Sequence, residues 1–123
     1  MPRPDKVEIK NNDTLLRRVP YKDPKYIKDD GSLSSLAYTP RNQDRGLSVN
    51  IERLTTYKES ILNIRRFRLF AHKAIQFREL NLECEHDPLP ENNAHALVVG
   101  MNPNNRKIPR KLARSATRIK YPD

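Results

Sequence analysis

Apolar residues recur at every second position in several short segments of this chain and at every third or fourth position near its end. Leu47, Val49 and Ile51 alternate with Ser48 and Asn50, and Leu82, Cys84 and His86 alternate with Glu83 and Glu85. Such alternation sets one side of an extended strand on a core and leaves the other in a polar setting. Ile108, Leu112, Ala116 and Ile119 instead fall at i, i+4, i+8 and i+11, which is one stripe of a helix. Strands with helices interspersed give an α+β fold. We expect a small mixed or antiparallel sheet with two or three helices, the last of them C-terminal, basic and amphipathic.

Turn chemistry sets the boundaries. Residues 14–19 form a first strand, ended by Pro20. Residues 20–32 hold two prolines, Asp29-Asp30-Gly31 and two tyrosines, and read as a long loop. Residues 32–38 read as a short strand closed by Thr39-Pro40, and residues 40–46 as a turn. Thr56 and Glu59 have the spacing of a capping box and open a helix carrying Ile61, Leu62 and Ile64. In residues 65–80, Phe67, Leu69 and Ala71 alternate like a strand, and Ala74, Ile75, Phe77 and Leu80 follow with helical spacing. Residues 94–99 are the most continuous apolar run and the expected central strand. Pro109 suits the first turn of the last helix, where a missing N–H costs little. Residues 1–13 read as a flexible N-terminal arm, ordered only where something holds it, and residues 14–123 as a single α+β domain.

Charge narrows the partner. The 123 residues carry a formal net charge of +9, which favours nucleic acid, an anionic membrane or an acidic protein. No segment approaches the ~18 consecutive apolar residues of a membrane span, and residues 1–6 lack an apolar secretory region. The single cysteine, Cys84, excludes an intramolecular disulfide and a cysteine-based zinc site. A cytoplasmic setting is expected, with no metal and no cofactor.

The positive charge is clustered. Residues 106–123 hold seven Lys or Arg and one acid. Lys107, Lys111, Arg114 and Arg118 repeat at helical spacing beside the apolar stripe, with Arg110 between them. Arg65, Arg66 and Arg68 form a second cluster, and Arg17 and Arg18 a third. Between Glu79 and Glu91 lie five acids and no Lys or Arg, a segment suited to docking a protein partner.

Candidate chemistry is sparse. His86 beside Asp87 has the makings of a base with its orienting acid, although neighbours on a strand face opposite sides. His95 lies between two alanines, where a core histidine satisfied by hydrogen bonds is the plainer account. The histidine spacing is that of no standard zinc motif. Arg17 and Arg18 with Ser34, Ser35 and the loop of residues 29–32 could hold a phosphate, since guanidinium and hydroxyl donors match its oxygens. Three glycines argue against a nucleotide-binding loop, and no Ser/His/Asp set sits on a nucleophile elbow. Tyr21 and Tyr26, interleaved with Lys22, Lys25 and Lys28, suit stacking on unpaired bases.

The segments Leu15-Leu-Arg-Arg-Val-Pro20, Asp30-Gly-Ser-Leu-Ser-Ser-Leu-Ala-Tyr38, Gly46-Leu-Ser-Val-Asn50 and His86-Asp-Pro-Leu-Pro-Glu-Asn-Asn-Ala-His-Ala-Leu-Val-Val-Gly100 together resemble a small bacterial family of single-domain proteins. The resemblance spans residues 15–120 and implies a stand-alone bacterial domain, with no activity, ligand or site attached.

Three functions fit these residues. The first is a binding protein, more readily than an enzyme, that docks on DNA or RNA, or on an assembly containing it, through Lys107, Arg110, Lys111, Arg114 and Arg118 with Arg65, Arg66 and Arg68. The second is a small ribonuclease-like or phosphate-transfer enzyme using His86, His95, Arg17 or Arg18, with Ser35 positioning. The third is an adaptor subunit of a bacterial multiprotein system, of the defence or toxin–antitoxin kind, docking through residues 79–91 or the loop of residues 20–32.

Overall fold

A computed structural model describes residues 6–40, 45–102 and 104–122. Its six strands are β1 (Thr14–Pro20), β2 (Leu47–Ile51), β3 (Phe67–Lys73), β4 (Glu83–His86), β5 (His95–Val99) and β6 (Thr117–Arg118). They form one antiparallel sheet in the order β4-β5-β2-β1-β3-β6. The helices are α1 (Tyr57–Ile61), α2 (Ala74–Arg78) and α3 (Lys107–Ser115), so the fold is α+β.

Strand alternation gives the sheet two unequal faces. Leu15, Val19, Leu47, Val49, Ile51, Phe70, Cys84, Ala96 and Val98 point to the larger core, where Tyr38, Phe77 and Leu112 join them. Leu16, Ile61, Leu69 and Ala71 make a smaller cluster on the other face, flanked by Tyr57, Ile119 and Tyr121. β2 starts beside Gly46, where a Cβ would lie 2.4 Å from the Val98 carbonyl oxygen, so any side chain there would push β2 off β5.

The ladders are unequal too. β1 pairs with β3 along seven residues, from Thr14–Lys73 to Pro20–Phe67. With β2 it pairs only at Leu15–Ile51 and Leu16–Asn50. Beyond that point the strands part, and Arg17 bridges them. Its Nε donates to the Ala37 carbonyl (2.9 Å) and another guanidinium nitrogen to the Ser48 carbonyl (2.8 Å).

Four sequence expectations are corrected. The helix opened by Thr56 stops at Ile61, so Leu62, at φ +61°, and Ile64 lie beyond it and are exposed. Residues 35–38 form a 3-10 turn instead of part of a strand. Ser34 caps it by accepting from the Leu36 N–H, local hydroxyl bonding of the kind that competes with strand pairing. The run at residues 94–99 does become β5, but the middle of the sheet is β2 and β1, with β5 one place from the edge. The last helix stops at Ser115, and Ala116 is already extended. Only Ile108 and Leu112 of the apolar stripe are therefore helical. The edge of β3 captures the chain instead, with Thr117 pairing Ala71 and Arg118 pairing Phe70, and Ile119 goes to the opposite face of the sheet.

Residues 6–13 are held by specific partners. Ile9 is buried, the Val7 N–H donates to His86 Nδ1 (2.9 Å), and Arg78 donates to the Ile9 carbonyl (2.6 Å) and to Asn11 Oδ1 (2.7 Å). Arg53 pairs with Asp13 at 2.8 Å. Residues 41–44 of the expected turn lie outside the described residues.

Candidate nucleic-acid interface

α3 is seated by what it buries. Leu112 and Pro109 are enclosed while Lys107, Arg110, Lys111 and Arg114 are exposed. Its end is fixed by His72, a buried residue of β3 whose Nε2 lies 2.9 Å from the Leu112 carbonyl and 3.0 Å from Ser115 Oγ. Donation from Nε2–H to that carbonyl satisfies one of the free acceptors of a helix C-terminus. Burial pushes the His72 pKa below its ordinary 6.5, the Leu112 carbonyl opposing the shift. The tyrosine ring of Tyr38 meets His72 edge-on, with centroids 5.0 Å apart.

Against α3 lies the loop leading into the 3-10 turn. Ile27 and Leu33 form an isolated antiparallel bridge. Between them the Lys28 N–H donates to the Ser32 carbonyl (2.8 Å) and the Gly31 N–H to the Lys28 carbonyl (2.9 Å). Gly31 takes φ +86°, the left-handed region that glycine enters without strain. Asp30 Oδ1 accepts from the hydroxyl and the N–H of Ser32 (2.6 and 2.9 Å). These bonds hold the Asp30 carboxyl below the usual carboxylate range and engage the acid within the loop.

Loop and helix enclose a groove of about 690 Å³. Lys28, Arg110, Arg114 and Arg118 line it with Ser32, Ser34 and Ser35, over a floor that includes Phe70 and Ala113. No lining residue is acidic. Among the described residues, the side chains of Arg110, Arg114 and Arg118 enter no ion pair or hydrogen bond. Past Arg110 the depression continues along Arg106, Asn105 and Leu36. The sequence suggests Arg17 and Arg18 as partners of these serines, whereas the fold brings the serines to Arg110, Arg114 and Arg118 and adds Lys28, which in the sequence stands out only beside Tyr26.

The other candidates fall elsewhere. Lys107 and Lys111 lie on α3 outside the groove lining. Arg65 and Arg66 are exposed in the turn before β3, and Arg66 stacks on Phe67 (5.2 Å). Arg68 lies over the Tyr21 ring at 3.9 Å and donates to the Ile64 and Phe67 carbonyls, which ties it to the fold. Ser35 lines the groove and not the surroundings of His95. Three of the five acids of residues 79–91 have a basic partner: Glu83 with Arg78 (2.8 Å), Asp87 with His95 (3.1 Å) and, between exposed side chains, Glu85 with Arg45 (3.9 Å).

His86 and His95 do not meet. His86 is buried in the larger core, accepting from Val7 at Nδ1 and lying 2.6 Å from the Asn93 carbonyl at Nε2. Both ring nitrogens are thus committed. His95 is one residue out of phase with the Ala96 that pairs with His86, so it points to the opposite face. It shares a cavity of about 100 Å³ with Arg17, Arg18, Ser48, Asn50, Ser60 and Asn92. Its Nδ1 is 3.1 Å from Asp87 Oδ2 and its Nε2 is 3.2 Å from Ser48 Oγ. Asp87 therefore serves His95 and not His86. The contact is made through a proline-rich turn whose path the sequence alone does not trace.

No protein-family model, curated protein or solved structure matches this chain at a significant level. No helix among the described residues is long and apolar enough to cross a membrane.

Proposed function

We propose that this chain is a nucleic-acid-binding module that docks the phosphate backbone in the groove between α3 and residues 28–35. One observation carries the reading: four cations, Lys28, Arg110, Arg114 and Arg118, line a single open groove that no acid lines. A guanidinium presents a planar fork of donors that matches two phosphate oxygens, and hydroxyls supply further donors. Ser34 accepts from Leu36, which leaves its own proton to give. Arg110 and Arg114 stand one turn apart, about 6 Å along the helix axis. The polar set is suited to phosphate more than to base edges, so binding is largely independent of sequence. A cytoplasmic setting goes with this reading.

The test is fluorescence polarisation with labelled single-stranded and duplex oligonucleotides at low ionic strength. Binding is expected for the full chain and lost with Arg110→Glu combined with Arg114→Glu, at unchanged thermal stability. Absence of binding by the unaltered chain at low salt overturns the reading.

A further inference from the structure

The cavity on the other face of the sheet carries a different chemistry. It opens where β1 and β2 part, after the Leu16–Asn50 pair. Ser48 is an exposed residue of β2. Its Oγ is 3.2 Å from His95 Nε2, while His95 Nδ1 faces both the carboxylate of Asp87 (3.1 Å) and its backbone carbonyl (3.0 Å). With two acceptors at Nδ1, the ring carries its proton there, and the Nε2 lone pair is left to accept from the Ser48 hydroxyl. Nucleophile, base and orienting carboxylate thus stand in line, the geometry that activates a serine. The surroundings are fixed. Asn92 donates to Asn50 (2.9 Å), Asn50 donates to Ser60 Oγ (2.9 Å), and Arg18 donates to the Ser60 carbonyl (3.1 Å).

We propose that Ser48, His95 and Asp87 form a serine-nucleophile site that hydrolyses esters of short acyl groups. The size of the cavity sets the acyl length, since about 100 Å³ is the liquid volume of roughly three waters. Leu16 and Leu69 give part of it an apolar wall. The donors favour acyl over phosphoryl transfer. Arg17 and Arg18 already give N–H groups to the carbonyls of Ala37, Ser48 and Ser60, and one developing oxyanion needs fewer donors than three phosphoryl oxygens.

In the first step Ser48 Oγ bonds to the acyl carbon while its proton passes to His95 Nε2. The carbonyl π pair moves onto oxygen, within the cavity that Arg18 helps to line. Collapse of this adduct breaks the bond to the alcohol oxygen, which leaves with the proton from His95. Water then attacks the acyl-serine, giving one proton to His95, and the carboxylic acid departs as that proton returns to Ser48. Asp87 acts throughout as a positioning residue, holding the imidazole in the required tautomer.

The test uses the full chain, a fluorophosphonate probe read by intact mass, and p-nitrophenyl acetate and butyrate as substrates. One adduct per chain at Ser48 is expected, with no adduct and no turnover in Ser48→Ala. His95→Gln is expected to slow labelling by at least about 10²-fold, the usual worth of a general base. Asp87→Asn slows it as well, and Asp87→Glu restores part of the rate at unchanged circular dichroism, which a merely structural acid would not produce. Ser48 is exposed, so its alanine variant keeps the fold even if a His95 variant does not. An unlabelled wild-type chain overturns the proposal, as does equal labelling of Ser48→Ala.

Discussion

Arg17 and Arg18 on β1 and Arg110 and Arg114 on α3 carry the same side chain, and the fold uses them differently. The β1 arginines give their N–H groups to the carbonyls of Ala37, Ser48 and Ser60, and Arg18 also lies over the Phe67 ring at 5.2 Å. The α3 arginines find no acceptor among the described residues and line an open groove. A guanidinium whose donors are satisfied inside the protein stiffens it, whereas one whose donors face solvent is available to a ligand. Local sequence does not separate the two cases: Arg-Arg beside Val19 and Arg-Lys beside Leu112 are equally basic.

The contrast has consequences for stability, the largest of them on α3's buried side. Leu112→Ala is expected to cost about 2–5 kcal/mol, the range for truncating an enclosed leucine. Arg110→Ala and Arg114→Ala are expected to stay within about 0.5 kcal/mol of neutral. Denaturant unfolding of the three variants checks this, and a strongly destabilising Arg114→Ala would erase the distinction between the pairs.

On β1 the order reverses. Arg17→Ala is expected to cost about 2–4 kcal/mol, because two carbonyls at the parting of β1 and β2 lose charged donors. A silent Arg17→Ala in thermal unfolding would show that the parting needs no bridge.

A smaller effect comes from the histidine that pins α3. Burial lowers the folded pKa of His72 below 6.5. Above that value the residue is neutral in both states and the fold keeps its full stability. As pH falls below about 6.5 the unfolded chain takes up the proton first, so stability is lost progressively down to the folded pKa. Unfolding curves between pH 8 and 5 are expected to show this slope, and His72→Gln to flatten it.

Much of the fold is legible in the sequence. The alternation around Val49 and Cys84 marks two strands that each bury one face, and that of Phe67, Leu69 and Ala71 marks a third, although β3 is buried on both faces. The segment around Ser34 and Ser35 is misread as a strand because a local hydroxyl cap turns its second half into a 3-10 turn. The stripe from Ile108 to Ile119 is misread as one helix because its second half is captured by the edge of β3, a long-range event that helical spacing cannot register. The candidate site follows the same divide. The cations of α3 are visible as a cluster, but their meeting with Lys28 and Ser32 depends on how the loop folds back on the helix. The approach of Ser48, Asp87 and His95 depends on strand order, since Ser48 and His95 are 47 positions apart and meet only because β2 pairs with β5.

The most direct test of the groove is the salt dependence of nucleic-acid binding. The logarithm of the affinity for duplex DNA should fall linearly with the logarithm of salt concentration, by about 0.9 for each phosphate contact. Replacing Arg110, Arg114 and Arg118 together by alanine is expected to reduce that slope by about 2–3, with the fold intact by circular dichroism. An identical slope in the unaltered and triple-alanine proteins would contradict the assignment of the groove as the phosphate-binding surface.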